Sequence, residues 1–210
     1  MRWRRRLGKG AGGQDWWIAW LFMVGAFLFA LGSFPPYGQT VDPGAVAITF
    51  VVGSVFFTSA ALGQLALTVG ERVDGRLLWA AGVQLVGTVL FNVNTIRAAS
   101  DSLDVEETDR LVWAPDVLGS MAFLIASHLA WVVVCGRLWA VRRTDAAWWV
   151  ALLNYVGSIF FMASAIASFT LPTTGEELNI TIVNAGTLAG ALCFLFGAYL
   201  SLPAAEDAAM

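Results

Sequence analysis

The side chains able to do chemistry within this chain are few, and nearly all of them are neutral. The single histidine, His128, stands in the apolar run LIASHLAW, and the two cysteines, Cys135 and Cys193, stand in apolar runs as well. A metal site wants three or four His, Cys or carboxylate ligands, a set these three residues do not make, so neither metal nor cofactor is expected. Ser127 adjoins His128, but consecutive side chains on a helix point about 100° apart and do not face each other. No catalytic residue is assigned, and the G-x-S-x-G, H-E-x-x-H and phosphate-loop patterns are missing. Lys9 is the one lysine, which leaves no Schiff-base position inside an apolar segment.

The remaining polar candidates are carboxamides, and they fall into two layers. Gln64, Gln84 and Asn154 belong to one. Asn92, Asn94 and Asn184 belong to the other, near Arg97. Two readings stay open. The amides tie helices together, at about 0.6–2 kcal/mol per bond, or they line a cavity for water or a small polar ligand. His128 carries the same choice, between a neutral ring bonded to a neighbour and a pH-sensitive group.

The elements that must hold these residues follow from composition. Hydrophobic residues make up 58% of the 210 residues and charged residues 13%, against about 25% charged in soluble domains. A bilayer-spanning helix needs roughly 20 mainly apolar residues, and six segments qualify: 16–34, 45–69, 77–98, 115–139, 147–170 and 178–202. The first is a full-length span with no small-residue cleavage site after it, so a removable signal peptide is not expected. No Asp, Glu, Lys or Arg falls in the middle of a span. Such charges are costly in lipid and mark ion and proton routes, so their absence argues against a proton pump, a sodium-coupled carrier or a voltage sensor.

Charge placement predicts orientation. Arg2, Arg4, Arg5, Arg6, Lys9, Arg72, Arg76, Arg137, Arg142 and Arg143 fall on one side of six spans, and only Arg97 and Arg110 on the other. The positive-inside rule puts both termini in the cytoplasm of a multi-pass cell-membrane protein. Residues 1–15 form a basic tail whose Arg4, Arg5 and Arg6, with Arg97, are expected to meet anionic lipid headgroups. The net charge of −3 argues against nucleic-acid binding.

Three segments share one pattern: WIAWLFMVGAFLF (Trp17 to Phe29), WAAGVQLVGTVLF (Trp79 to Phe91) and WVALLNYVGSIFF (Trp149 to Phe161). Each opens with Trp, carries Val-Gly seven and eight residues later, and ends in Phe; the copies are 62 and 70 residues apart. The alternate segments carry GSVFF at Gly53, GSMAF at Gly119 and GTLAG at Gly186. Glycine lets helices approach closely in lipid, so Gly25, Gly53, Gly87, Gly119, Gly157 and Gly186 are expected packing positions. The pattern predicts an all-α fold of six transmembrane helices. These would form three tandem hairpins (16–69, 77–139 and 147–202) with an approximate threefold repeat, within a 16–202 domain followed by a short 203–210 tail.

The GS-x-x-F helices, QLVGTVLFNVNT (Gln84 to Thr95), the WAPD–GSMAFLIASHLAW stretch and WWVALLNYVGSIFF together resemble a group of bacterial multi-pass membrane proteins, many from actinobacteria, related to the YrhK-like domain. The resemblance implies a bacterial membrane location and carries no reaction, ligand or catalytic residue. Two functions are therefore weighed. The first is a non-catalytic structural or accessory membrane protein, acting as a homo-oligomer or with a membrane-protein partner. The alternative is a small transporter or channel for a neutral or weakly polar solute.

Overall fold

The computed structural model describes residues 14–70, 73–100, 103–136, 141–142 and 144–202. Arg4, Arg5, Arg6 and the 203–210 tail lie outside the described residues. The fold is all-helical, with one isolated bridge, Thr170 to Glu177, among the described residues. Six apolar helices make the body: α1 (Gln14–Gly32), α3 (Pro43–Gly70), α4 (Gly75–Ala98), α6 (Ala114–Cys135), α7 (Ala146–Ala167) and α8 (Ile180–Leu200). Two short helices, α2 (Pro35–Thr40) and α5 (Val105–Thr108), occupy connections. Five helices are long and apolar enough to cross a membrane, and a shorter apolar helix, Trp16–Gly32, accompanies them. In lipid every backbone polar group must be bonded within the chain, which helices achieve and open strands do not.

Local chemistry sets the helix ends. Asp74, Asp145 and Asn179 cap α4, α7 and α8 by accepting from the backbone N–H of Arg76, Ala147 and Ile182. Helix α6 departs from the sequence expectation, which opens the fourth span at residue 115. An Asp104–Glu107 capping box starts α5 ten residues earlier. The chain then passes through a π-turn (Asp109–Trp113) directly into α6. Pro115 explains the wide turn. Its ring would strike the carbonyl four residues back, and the turn moves that carbonyl aside, with the Ala114 N–H bonding Asp109 O instead.

The six helices close into a ring, in which α1 packs on α3, α3 on α4, α4 on α6, α6 on α7, α7 on α8, and α8 back on α1. Within each sequential hairpin two glycines meet face to face. A Cβ added at Gly25 would lie 3.0 Å from Gly53 O, at Gly87 3.0 Å from Gly119 O, and at Gly157 3.1 Å from Gly190 O. Gly190, not Gly186, occupies the position opposite Gly157; Gly186 packs one turn away, against Phe160 O and Ser164. Each glycine also seats the partner helix's phenylalanine. Phe29, Phe91 and Phe161 lie over Gly53, Gly119 and Gly190, while Phe57, Phe123 and Phe194 lie over Gly25, Gly87 and Gly157.

Those six rings fill the axis in two layers. Phe29, Phe91 and Phe161 form one triangle, with centroids 6.0–6.2 Å apart. Phe57, Phe123 and Phe194 form the other, 5.5–6.2 Å apart. Stacked pairs join the layers at Phe91–Phe123 (5.1 Å) and Phe161–Phe194 (5.3 Å), and an edge-on pair at Phe29–Phe57 (5.4 Å). The outer surface is apolar and largely aliphatic, with Val52, Leu62, Val86, Val89, Ile96, Ile125 and Ile166 all exposed. Small residues and phenylalanine inside, branched aliphatics outside, is the distribution expected of a bundle solvated by hydrocarbon.

Replacing Gly190 with Ala should cost about 1–3 kcal/mol by overpacking, since the new methyl would sit 2.6 Å from the Phe161 ring and 2.9 Å from Gly157 O. Gly82→Ala, with nothing within 4 Å, should be neutral or stabilising by up to about 1 kcal/mol. Thermal unfolding of both variants in detergent checks the contrast; equal effects would remove the close approach as its cause.

Candidate functional site

Glycine pairing brings the backbones together at mid-height, and the ring opens on either side of the aromatic layers. At the end where α1, α4 and α7 begin, a cavity of about 320 Å³ is lined by residues of all six helices. Its floor includes Phe194 of the nearer phenylalanine triangle, and its walls are mainly alanine and aliphatic. Three carboxamides line it: Gln64 from α3, Gln84 from α4 and Asn154 from α7. Thr68, Ser127 and Ser201 supply hydroxyls. None of the described residues lining it is charged. Gly197 makes room for the Asn154 side chain, because a Cβ there would lie 2.7 Å from its Oδ1.

Hydroxyls also join neighbouring helices of the ring. Ser127 and Ser158 Oγ atoms are 2.8 Å apart, and Ser158 donates to Asn154 O at 2.8 Å and Phe123 O at 3.2 Å, which ties α6 to α7. Ser54 and Thr95 Oγ atoms join α3 to α4 at 2.9 Å. Ser164 Oγ donates to Val183 O at 2.8 Å, binding α7 to α8.

The other predicted residues do not enter this chamber. Asn92 Nδ2 donates to Thr58 Oγ1 at 2.8 Å, linking α4 to α3, while its Oδ1 is buried without a partner. Asn94 bonds the Asp116 carboxylate. Asn184 is half-buried near the start of α8, and Arg97 is exposed in the last turn of α4. His128 is exposed on the outer face of α6, with its ring 5.8 Å from Tyr155, whereas Ser127 beside it is buried. Cys135 is buried with Trp131 and Trp148, and Cys193 lies against Gly157.

Asp116 is a further polar residue on the axis. It stands in the first turn of α6 and faces the axis across the phenylalanine layers from the chamber, lining a second cavity of about 30 Å³ with Phe29, Phe91, Phe161, Ser120, Ser164 and Thr187. The signal was present: Asp116, Gly119, Ser120 and Phe123 recur at the three- and four-residue spacing of one helix face.

The fold and site thus define a class, a bundle of long apolar helices compatible with a multi-pass membrane protein, with two unequal cavities on its axis. No protein-family model, curated protein or solved structure matches the chain, so the reading of its function rests on this geometry.

The Asn92 amide distinguishes structural bonding from ligand binding. Asn92→Leu, which removes both the bond and the orphaned acceptor, should change stability by less than about 1 kcal/mol. Thr58→Val, which strands the buried amide donor, should cost about 1–3 kcal/mol. Unfolding of the purified variants in detergent measures both, and the opposite order would mark Asn92 as more than a tie between α3 and α4.

Proposed function

We propose that this chain is a non-catalytic carrier of a bacterial cytoplasmic membrane, taking a small neutral or weakly polar solute into the chamber at the tryptophan end of its helix ring. The observation that carries the reading is the convergence of Gln64, Gln84 and Asn154, from three helices, on one uncharged cavity of about 320 Å³. That is the low end of ligand-pocket size, and mostly apolar walls with a few convergent polar groups are what such sites have in common. Carboxamides offer both donors and acceptors without charge, which suits an amide, a polyol or a small heterocycle better than an ion.

The accompanying topology is six spans in three tandem hairpins with approximate threefold repeat, both termini in the cytoplasm, of the kind resembling YrhK-like proteins. Support for a sixth span comes from α1, whose Ile18 lines one cavity and Phe29 the other, so that it runs the same height as its neighbours. Its 17 apolar residues reach about 25 Å at 1.5 Å per residue, a modest mismatch to a hydrocarbon core of about 30 Å. The repeat is supported by the recurring Gly–Gly contact of the three hairpins. The Trp17, Trp79 and Trp149 side chains, exposed at one end, suit the lipid interface, where the basic tail would hold anionic headgroups. A second reading, an accessory bundle assembling with itself or another membrane protein, is favoured by the two phenylalanine layers that fill the axis.

Proteoliposomes test the choice. In a background with Cys135 and Cys193 replaced by Ala, single cysteines at Gln84 and Asn154 should react with a small thiol reagent, and a cysteine at Phe161 should not. Phe91→Ala with Phe123→Ala, which opens the layers, should raise the flux of labelled neutral amides such as acetamide and urea above that of the parent. Protection at positions 84 and 154, with unchanged flux, would leave the accessory reading standing.

A further inference from the structure

The cavity at the Asp116 end has a different chemistry from the chamber. Its polar walls are oxygen only: the Asp116 carboxylate and the hydroxyls of Ser120, Ser164 and Thr187, with the side chains of Phe29, Phe91 and Phe161 completing the lining. The hydroxyls keep acceptor capacity. Ser164 donates to Val183 O at 2.8 Å and shares a 2.7 Å contact with Thr187, and Ser120 reaches Phe161 O at 3.4 Å. Each oxygen retains a lone pair after donating its single hydrogen.

Asp116 has no cationic partner among the described residues. Its hydrogen bonds come from neutral donors, Ser168 Oγ at 3.4 Å and the Asn94 side chain, and the nearest charged group acting on it is a second carboxylate, Glu177. An unpaired carboxylate at the end of an apolar bundle must be neutralised by something. About 30 Å³ admits one water-sized particle. A single full carboxylate with neutral oxygens suits a hard monovalent ion, whereas calcium takes six to eight oxygens, several from carboxylates.

We infer that this cavity is a binding site for one sodium ion, held by Asp116 with Ser120, Ser164 and Thr187. The inference does not rest on the solute chamber, which lies across the phenylalanine layers and is not read by the following experiment. The full chain, purified in detergent at mildly alkaline pH, is unfolded thermally across a sodium chloride series and a choline chloride series of matched ionic strength. Sodium should raise the melting temperature saturably, potassium less so, and choline not at all. Asp116→Asn should lose the sodium response, and Thr187→Val, which keeps the carboxylate, should move its midpoint to higher sodium. Should Asp116→Asn fail to fold, Thr187→Val and Ser164→Ala carry the test through that midpoint. Identical melting in sodium and choline, or a full sodium response in Asp116→Asn, overturns the site. So does a wild-type response to mild acid alone, absent in Asp116→Asn and without any sodium effect, since a proton would then be the occupant.

Discussion

The rest of this structure depends on one reciprocal contact: in each hairpin a glycine on either helix gives up its side-chain space to the other helix's backbone and phenylalanine. Apolar burial alone contributes little between helices in lipid, because hydrocarbon solvates leucine as well as leucine does. Close backbone approach, with dispersion gained by ring against backbone, is what remains. The three hairpins make this contact at the same height, and six rings arrive together on the axis. The two triangles follow from that shared height. With the rings fixed at mid-height, the ring of helices is tightest there, and the lining of each cavity is whatever side chains the same six faces carry one or two turns away.

That geometry explains why the two cavities differ. From Gly87, a step of three residues toward the start of α4 reaches Gln84, and from Gly157 the same step along α7 reaches Asn154. Both are carboxamides, and both line the chamber. Toward the other end, Gly119 is preceded at the same three-residue step by Asp116, and Phe161 is followed at that step by Ser164. Three carboxamides therefore line the cavity on one side of the aromatic layers, and a carboxylate with three hydroxyls lines the cavity on the other. The hydroxyl ties at Ser127–Ser158 and Ser164–Thr187 sit on the same faces, so the bonds that fix α6, α7 and α8 also shape the cavity walls.

Much of the bundle was legible in the sequence. Apolar length and the absence of mid-span charge gave helices whose bounds fall within a few residues of those observed, except where Asp104 begins a helix upstream of Pro115. Periodicity also read the close-packing glycines, because glycine in an apolar stripe has few other uses. Gly186 is closely packed as well, but α8 has a second glycine one turn on, and Gly190, with Phe194 four residues later, makes the contact equivalent to those of Gly53 and Gly119. Function-bearing side chains were harder. Gln64, Gln84 and Asn154 were grouped by depth, and depth sufficed. Asn92 and His128 shared similar depths with others but differ in direction, toward a neighbouring helix and away from the bundle. A lone polar residue in an apolar helix carries no pattern from which to read that direction.

Asp116 shows how a correct local rule can hide a global role. A carboxylate in the first turn of a helix is favoured by the helix dipole, and that account needs nothing more. The same residue is also one step along the face that carries Gly119 and Phe123 to the axis, so the dipole-favoured position coincides with an inward one. Being near a helix start places it toward one end of the bundle, where Ser168 and Glu177 of the 168–179 connection lie nearby. The carboxyl group there stands across two layers of phenylalanine from a chamber whose described lining is uncharged. The aromatic layers thus separate two electrostatic environments as well as two volumes, and any particle passing between them would have to displace the rings that hold the hairpins together.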